Sequence, residues 1–319
     1  MGNNPLVSII IPVYNGSDYM QEAIDSALAQ TYKNIEVIVV NDGSTDGGAT
    51  DRIARAYGDK IRYFPKSNGG VSSALNKGIE EMSGEYFSWL SHDDVYEADK
   101  VRKQVETLKE AGCPENTIVY CNYMHIDEHS EPLTGMIPTV RYQAGVIYDS
   151  TEILTKLLTK ETFNGCGLLI PQKVFAQCGG FDERFRFCQD ALMWYKIFAK
   201  NYALVYTNEV LVKNRVHAKQ LTQTGQALFR KECQQISRIL VKEFAEISTK
   251  EHNFLSKYLL SDARYFTFAR VRKIIEIGKE QGLIDCQSAL KAYLICGYGY
   301  IRPFIRKLYY AAFRRIKTA

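Results

Sequence analysis

Four runs of β-branched and aromatic residues, separated by polar turns and helical stretches, restrict the fold of this chain more than any other feature. The first, Val7-Ser8-Ile9-Ile10-Ile11-Pro12, is ended by proline. The turn Val13-Tyr14-Asn15-Gly16 follows, and then a helix over about 19–30 with Met20, Ala23, Ile24, Ala27 and Leu28 at helical spacing. Glu36-Val37-Ile38-Val39-Val40 is the second run and Ile61-Arg62-Tyr63-Phe64 the third, which leads through Asn68-Gly69-Gly70 to a helix over about 71–82. Tyr86-Phe87-Ser88-Trp89-Leu90 is the fourth. Strand, turn and helix repeated in this order predict an α/β fold with a mostly parallel mixed sheet flanked by helices.

The 319 residues are enough for one α/β core and a second unit, since single cores stop growing near ~250–300 residues. A net charge of +4 is too small to argue for nucleic acid as a partner. The eight cysteines form no Cys-x-x-Cys pair and no zinc-ligand spacing. The start of the sequence lacks the basic and apolar regions of a secretory signal, so reduced thiols in a cytoplasmic protein are expected.

Chemistry concentrates at the ends of these strands. The fourth run stops on Ser91-His92-Asp93-Asp94, and adjacent carboxylates repel, so a divalent cation, an arginine or a proton is expected beside them. A helix N-cap is the plainer alternative. The second run ends on Asn41-Asp42-Gly43-Ser44-Thr45-Asp46-Gly47, whose amides and carboxylates suit either a ligand or a simple Asp-Gly turn. Neither Gly-x-Gly-x-x-Gly nor a P-loop occurs, which removes the main warrant for hydride transfer and P-loop chemistry. Carboxylates reach a diphosphate only through a metal.

Pro12-Val13-Tyr14-Asn15, Ser26-Ala27-Leu28-Ala29-Gln30-Thr31-Tyr32, Asp42-Gly43-Ser44-Thr45-Asp46 and Leu90-Ser91-His92-Asp93-Asp94 together resemble the family-2 inverting glycosyltransferases. The resemblance covers roughly residues 5–220. It implies a GT-A, nucleotide-diphospho-sugar transferase type of fold and a bacterial surface-polysaccharide role. It also implies a donor site at Pro12, Tyr14, Asn15, Asp42, Asp46, Ser91, His92 and Asp93. In it Asp42 would accept the imide N–H of uracil or thymine, and Asp46 would stabilise the turn or touch the base indirectly. Asp93 would hold Mn²⁺ or Mg²⁺ across both phosphates. Three positions depart from the family pattern: Ser91 replaces a ribose-binding aspartate, Leu75 an arginine and Gln189 a glutamate.

On the acceptor side, Gly179-Gly180-Phe181-Asp182-Glu183 and Gln189-Asp190 resemble the family's segment before its acceptor-side helix, and Asp190 matches the catalytic base. A carboxylate stabilised at a helix N-terminus is the alternative, and the dipole would then lower its pKa. His217, in Arg215-Val216-His217, resembles a late Arg-x-His element that would complete the metal shell or meet phosphate; a plain loop histidine is the other reading.

After about Gly225 the chain reads as helices over 229–247, 251–278 and 285–295, giving a catalytic domain over 1–225 and a helical region over 226–319. Residues 298–319 are aromatic and basic without an acid, which suits either an anionic membrane surface or a docking helix. The expected partners are a nucleoside-diphosphate sugar, UDP-linked before dTDP-linked, and a glycan or polyprenyl-diphosphate-linked acceptor. The expected place is the cytoplasmic face of the cell membrane. A nucleotide-sugar-binding protein without transfer activity is the alternative function.

Overall fold

The computed structural model describes residues 4–112, 114–133, 142–158, 163–218, 220, 226–248, 253–263 and 268–317. Two compact units are present, one of residues 1–153 and 162–232, the other of 154–161 and 233–319.

In the first unit, β1 (Val7–Val13) lies between β2 (Ile35–Asp42) and β4 (Tyr86–Trp89), parallel to both, and β3 (Arg62–Lys66) continues the parallel sheet beyond β2. Every residue of β1 is buried. A strand apolar on both faces needs cover on both, and α1 (Met20–Leu28), α2 (Ala49–Ala56) and α3 (Val71–Glu81) supply it.

The helix α3 approaches so closely that a Cβ on Gly78 would lie 2.3 Å from Cγ2 of the fully buried Ile10. Gly78→Val is therefore expected to destabilise the protein by about 1–3 kcal/mol through overpacking. Urea unfolding measures this, and an unchanged midpoint would contradict the packing described.

The second half of the sheet departs from parallel order. After β5 (Val95–Tyr96) and α4 (Lys100–Glu110) come β6 (Thr117–Ile126), β7 (Ile147–Tyr148), α5 (Ser150–Leu158), β8 (Leu168–Pro171), α6 (Lys173–Cys178), α7 (Gln189–Ala199) and β9 (Ala203–Arg215). Antiparallel β8 joins β4 to β6; β6 and β9 run parallel, while β5 and β7 pair antiparallel with β9. The nine-stranded order β3-β2-β1-β4-β8-β6-β9-β5, with β7 on β9, is the mostly parallel mixed sheet expected.

Both β6 and β9 outrun their apolar sequence signals, which stop at Cys121 and Tyr206. Polar residues follow those points, yet the two strands carry each other past a bulge at Cys121–Tyr123 to Ile126 and Arg215. This extension brings Asn214 and Arg215 to the end of β4.

The helical part comprises α8 (Gln226–Ile247), α9 (Phe254–Asp262), α10 (Phe268–Glu280) and α11 (Cys286–Lys317). Two helices, α9 and α10, thus stand where the sequence reads as one, and the side chain of Asn253 caps the first by accepting the Ser256 N–H at 2.9 Å. α11 does not stop at residue 295: it passes Gly297, Gly299 and Pro303 and ends at Lys317. Of the expected membrane segment 298–319, the side chains beyond Ile301 lie outside the described residues. Among the described residues no helix is long and apolar enough to cross a membrane.

Candidate functional site

Because β2, β1 and β4 are parallel neighbours, their carboxyl ends meet at one edge of the sheet, where open α/β sheets bind ligands. Pro12 is buried in β1 and Tyr14 stands 46% exposed just beyond it. Asn15, at φ 49°, ties this turn to the next: its N–H donates to Ser44 Oγ at 2.9 Å and its Oδ1 accepts the Thr45 N–H at 2.7 Å. Asp46 accepts both the N–H and the hydroxyl of Thr50, at 3.0 and 2.6 Å, and so fixes the turn that opens α2.

Asp42 is buried and does more than make a turn. Its carboxylate accepts Lys66 Nζ at 2.8 Å and the N–H groups of Gly69 and Gly70 at 2.9 and 2.7 Å, which sets the start of α3. A carboxylate offers about four acceptor positions, so one is left for a ligand donor.

The two aspartates after β4 diverge. Asp94 turns inward, 2% exposed, and accepts the Arg215 N–H at 2.9 Å, Asn214 Nδ2 at 2.9 Å and the Cys166 thiol at 3.3 Å. Burial, and then the adjacent Asp93 charge, push its carboxyl up to about 7. Asp93 keeps solvent access, and its Oδ2 lies 3.1 Å from His217 Nε2. His217 sits against Asp93, its ring packed on Tyr19 at a centroid distance of 5.1 Å. His92 is half-buried against the β1 turn, so near that a Cβ on Gly16 would fall 2.5 Å from its ring.

Arg215 holds this end together. Its guanidinium, 1% exposed, donates from Nε to the Asp93 carbonyl at 2.8 Å, from Nη1 to the Asp127 carbonyl at 3.1 Å and Ser130 Oγ at 3.0 Å, and from Nη2 to Glu22 at 2.5 Å. It also lies over the Tyr19 ring at 4.6 Å. Beneath β4, the fully buried Lys100 donates to Ser88 Oγ at 2.9 Å and Gln104 Oε1 at 3.0 Å and faces the Tyr96 ring at 4.0 Å. Burial pulls its ammonium down to about 8.

Asp190 stands in the first turn of α7, half-buried, and accepts the Ala191 N–H at 2.7 Å. The sequence expectation of a dipole-lowered pKa fails here: burial outweighs the backbone N–H groups and raises the carboxyl to about 6. Glu232, from α8, fixes the turn that leads into α7. Its buried carboxylate accepts the N–H groups of Arg186, Phe187 and Cys188, at 2.9, 2.8 and 3.2 Å.

No direct contact joins Asp190 to Asp42 or Asp93 among the described residues; packing links them instead. Phe181 meets Trp89, the last residue of β4, at 5.9 Å and Trp194, one turn along from Asp190, at 6.3 Å. Asn76 of α3 holds the Phe181 main chain, and Ser72 donates to the Phe185 carbonyl at 3.2 Å.

The three departures from the family pattern have distinct surroundings. Leu75 is fully buried on the core face of α3, Ser91 lies beside Cys166 at 3.4 to 3.5 Å, and Gln189 is buried with its Oε1 unbonded. Arg215, Glu232 and Lys100 carry much of this architecture. Only Arg215 had a sequence signal, two positions before His217.

Comparison with known proteins identifies the family. The family model described as glycosyl transferase family 2 matches residues 8–178. An uncharacterised glycosyltransferase of Rickettsia typhi is 50% identical over 222 residues, 70% of this chain and 67% of that protein. TuaG of Bacillus subtilis, named for teichuronic acid biosynthesis, is 30% identical over 218 residues, 66% of this chain and 79% of that protein. Among solved structures, residues 1–349 of TarS from S. aureus in complex with UDP-GlcNAc share the fold, with a TM-score of 0.67 at 14% identity, over 92% of this chain and 89% of that one. With its GT-A architecture and these relatives, the chain belongs to glycosyl transferase family 2.

Proposed function

We propose that this glycosyltransferase moves a sugar, with inversion, from a UDP-sugar to a hydroxyl of a glycan or a polyprenyl-diphosphate-linked oligosaccharide in a single displacement; a dTDP-sugar is the second choice of donor. The observation that carries the reading is the partly exposed pair Asp93 Oδ2 and His217 Nε2, 3.1 Å apart at the ligand-binding edge of the sheet. Neighbouring donors around an octahedral Mg²⁺ or Mn²⁺, each about 2.1 Å from the ion, are about 3 Å apart, so the pair fits such a cation. Among the described residues no group of three or more His, Cys, Asp or Glu side chains could hold a metal. Substrate phosphates and water would have to complete the coordination. Asp93 and His217 would hold such a cation, which would supply Lewis acidity to the departing diphosphate.

The chain's own residues have separate tasks in this reading. Asp42 offers its remaining acceptor position to the imide N–H of the base, and Pro12, Tyr14 and Asn15 border the nucleoside. Asp46 holds the turn, while Ser91 and His92 line the donor pocket beside Asp93. Asp190 takes the proton from the acceptor hydroxyl as that oxygen attacks the anomeric carbon. The name of TuaG and the UDP-GlcNAc complex of TarS support polysaccharide synthesis and a uridine nucleotide. Peripheral attachment at the cytoplasmic face of the membrane belongs to the same proposal.

A panel of UDP- and dTDP-sugars with Mn²⁺, scored by thermal shift and then by nucleotide release, tests the reading. Stabilisation and turnover with a UDP-sugar are expected, and NMR of the product should show the opposite anomeric configuration. Stabilisation without turnover, even with acceptors, would favour a nucleotide-sugar-binding protein instead.

Arg215→Lys keeps the charge but loses the planar fork that positions the Asp93 main chain. It is expected to raise the Mn²⁺ concentration for half-maximal activity 10–100-fold, on the order of other losses behind metal ligands. An unchanged Mn²⁺ requirement would remove Arg215 from this role.

A further inference from the structure

The second unit exposes an apolar surface that the transferase chemistry does not use. On α11, Leu290, Leu294, Tyr298 and Ile301 are 62%, 66%, 56% and 55% exposed. Their spacing, i, i+4, i+8 and i+11, puts all four on one face. Ala289, Ala292 and Cys296 are buried on the opposite side, so α11 already has its packing face within the unit. Six of the eleven most exposed large apolar side chains among the described residues lie on α10 and α11, which makes this a patch rather than scatter.

We propose that this face of α11 is a docking surface for an anionic lipid bilayer, on which the helix lies flat, and that the surface begins at Leu290. Charge complementarity selects the occupant. From Cys286 to the end of the sequence there are seven lysines and arginines and no acidic residue. A second copy of the chain would bring like charges together, whereas anionic headgroups attract them. The apolar spacing persists in the sequence at Ile305, Leu308, Ala312 and Ile316, and the helical backbone continues to Lys317. A helix with one apolar face and a basic remainder suits the bilayer interface.

Aromatic residues flank the same stripe. Phe268 of α10, 47% exposed, lies between Tyr293 and Tyr300, with ring centroids at 6.4 and 5.4 Å and near-parallel planes. Such rings suit the headgroup region. The nearby acid Glu276 is paired with Arg272 at 2.8 Å. The inference rests on the transferase reading only in expecting a lipid-linked acceptor at that surface.

Flotation of the full chain with phosphatidylcholine vesicles, and with vesicles that also contain phosphatidylglycerol, provides the test. The parent is expected to float with the anionic vesicles alone. Leu290→Glu combined with Leu294→Glu alters only exposed positions and should lower the bound fraction about tenfold or more. Circular dichroism and UDP-sugar hydrolysis in vesicle-free buffer are expected to be unchanged. Equal flotation of parent and variant would overturn the proposal, as would no flotation of either. A parent dimer that the two substitutions dissociate would also overturn it, by assigning the face to a second copy. Flotation without any UDP-sugar turnover would count against the transferase reading and leave the docking surface standing.

Discussion

Asp190→Asn is expected to lower kcat by roughly 10²–10⁴ while UDP binding in Mn²⁺ stays as in the parent, the usual worth of a general base. The amide keeps the size of the side chain and can still meet the Ala191 N–H that the carboxylate accepts at 2.7 Å, so the helix start survives. What it loses is the ability to take a proton. The pH profile gives an independent reading of the same group. Burial raises the Asp190 carboxyl to about 6, and the base works only when ionised, so activity should fall as pH drops through that value, by about tenfold per unit below it. That acidic limb should be missing from the residual activity of the variant. A variant with parental kcat, or one that retains the limb, would place the base elsewhere.

Asp93→Ala is expected to fail at a different step. Without this carboxylate, His217 alone remains of the pair, and a cation has no anionic protein ligand to hold it against the diphosphate. Donor affinity in Mn²⁺ should fall to the level seen with EDTA, and turnover should drop by ~10² or more, since a Lewis acid is worth several kcal/mol to a leaving diphosphate. Calorimetric titration of UDP with and without Mn²⁺ measures the first effect. Mn²⁺-dependent binding that persists in Asp93→Ala would refute the metal assignment. The two substitutions thus separate binding from proton transfer, which a protein that merely binds nucleotide sugars would not do.

The sequence made the parallel half of the sheet legible because its signals are local. The strands β1, β2 and β4 are largely buried on both faces and bounded by turn residues, and the polar groups at their ends necessarily share one edge once the strands are parallel. The rest depends on partners distant in sequence. Nothing near Asp94 tells that it turns inward, because its donors are Asn214, Arg215 and Cys166. The burial of Asp190 is equally invisible, so a dipole argument gave the wrong direction for its pKa. The two-residue strands β5 and β7 are too short to have a periodicity, and β6 and β9 are interrupted by polar residues at Asn122 and at Thr207-Asn208-Glu209 before they continue. Leu75 illustrates the limit of matching residue to residue: a departure from the pattern at a ligand position turns out to be a core side chain in α3.

A crystal structure of the protein soaked with UDP and Mn²⁺, with the cation located by its anomalous scattering, tests the whole arrangement at once. The account predicts the cation bound to Asp93 and His217 and to oxygens of both phosphates, with the uracil imide N–H on Asp42 and the Asp190 carboxylate facing the open side of the diphosphate. Nucleotide bound away from the carboxyl ends of β1, β2 and β4, or a cation with no bond to Asp93, would contradict it.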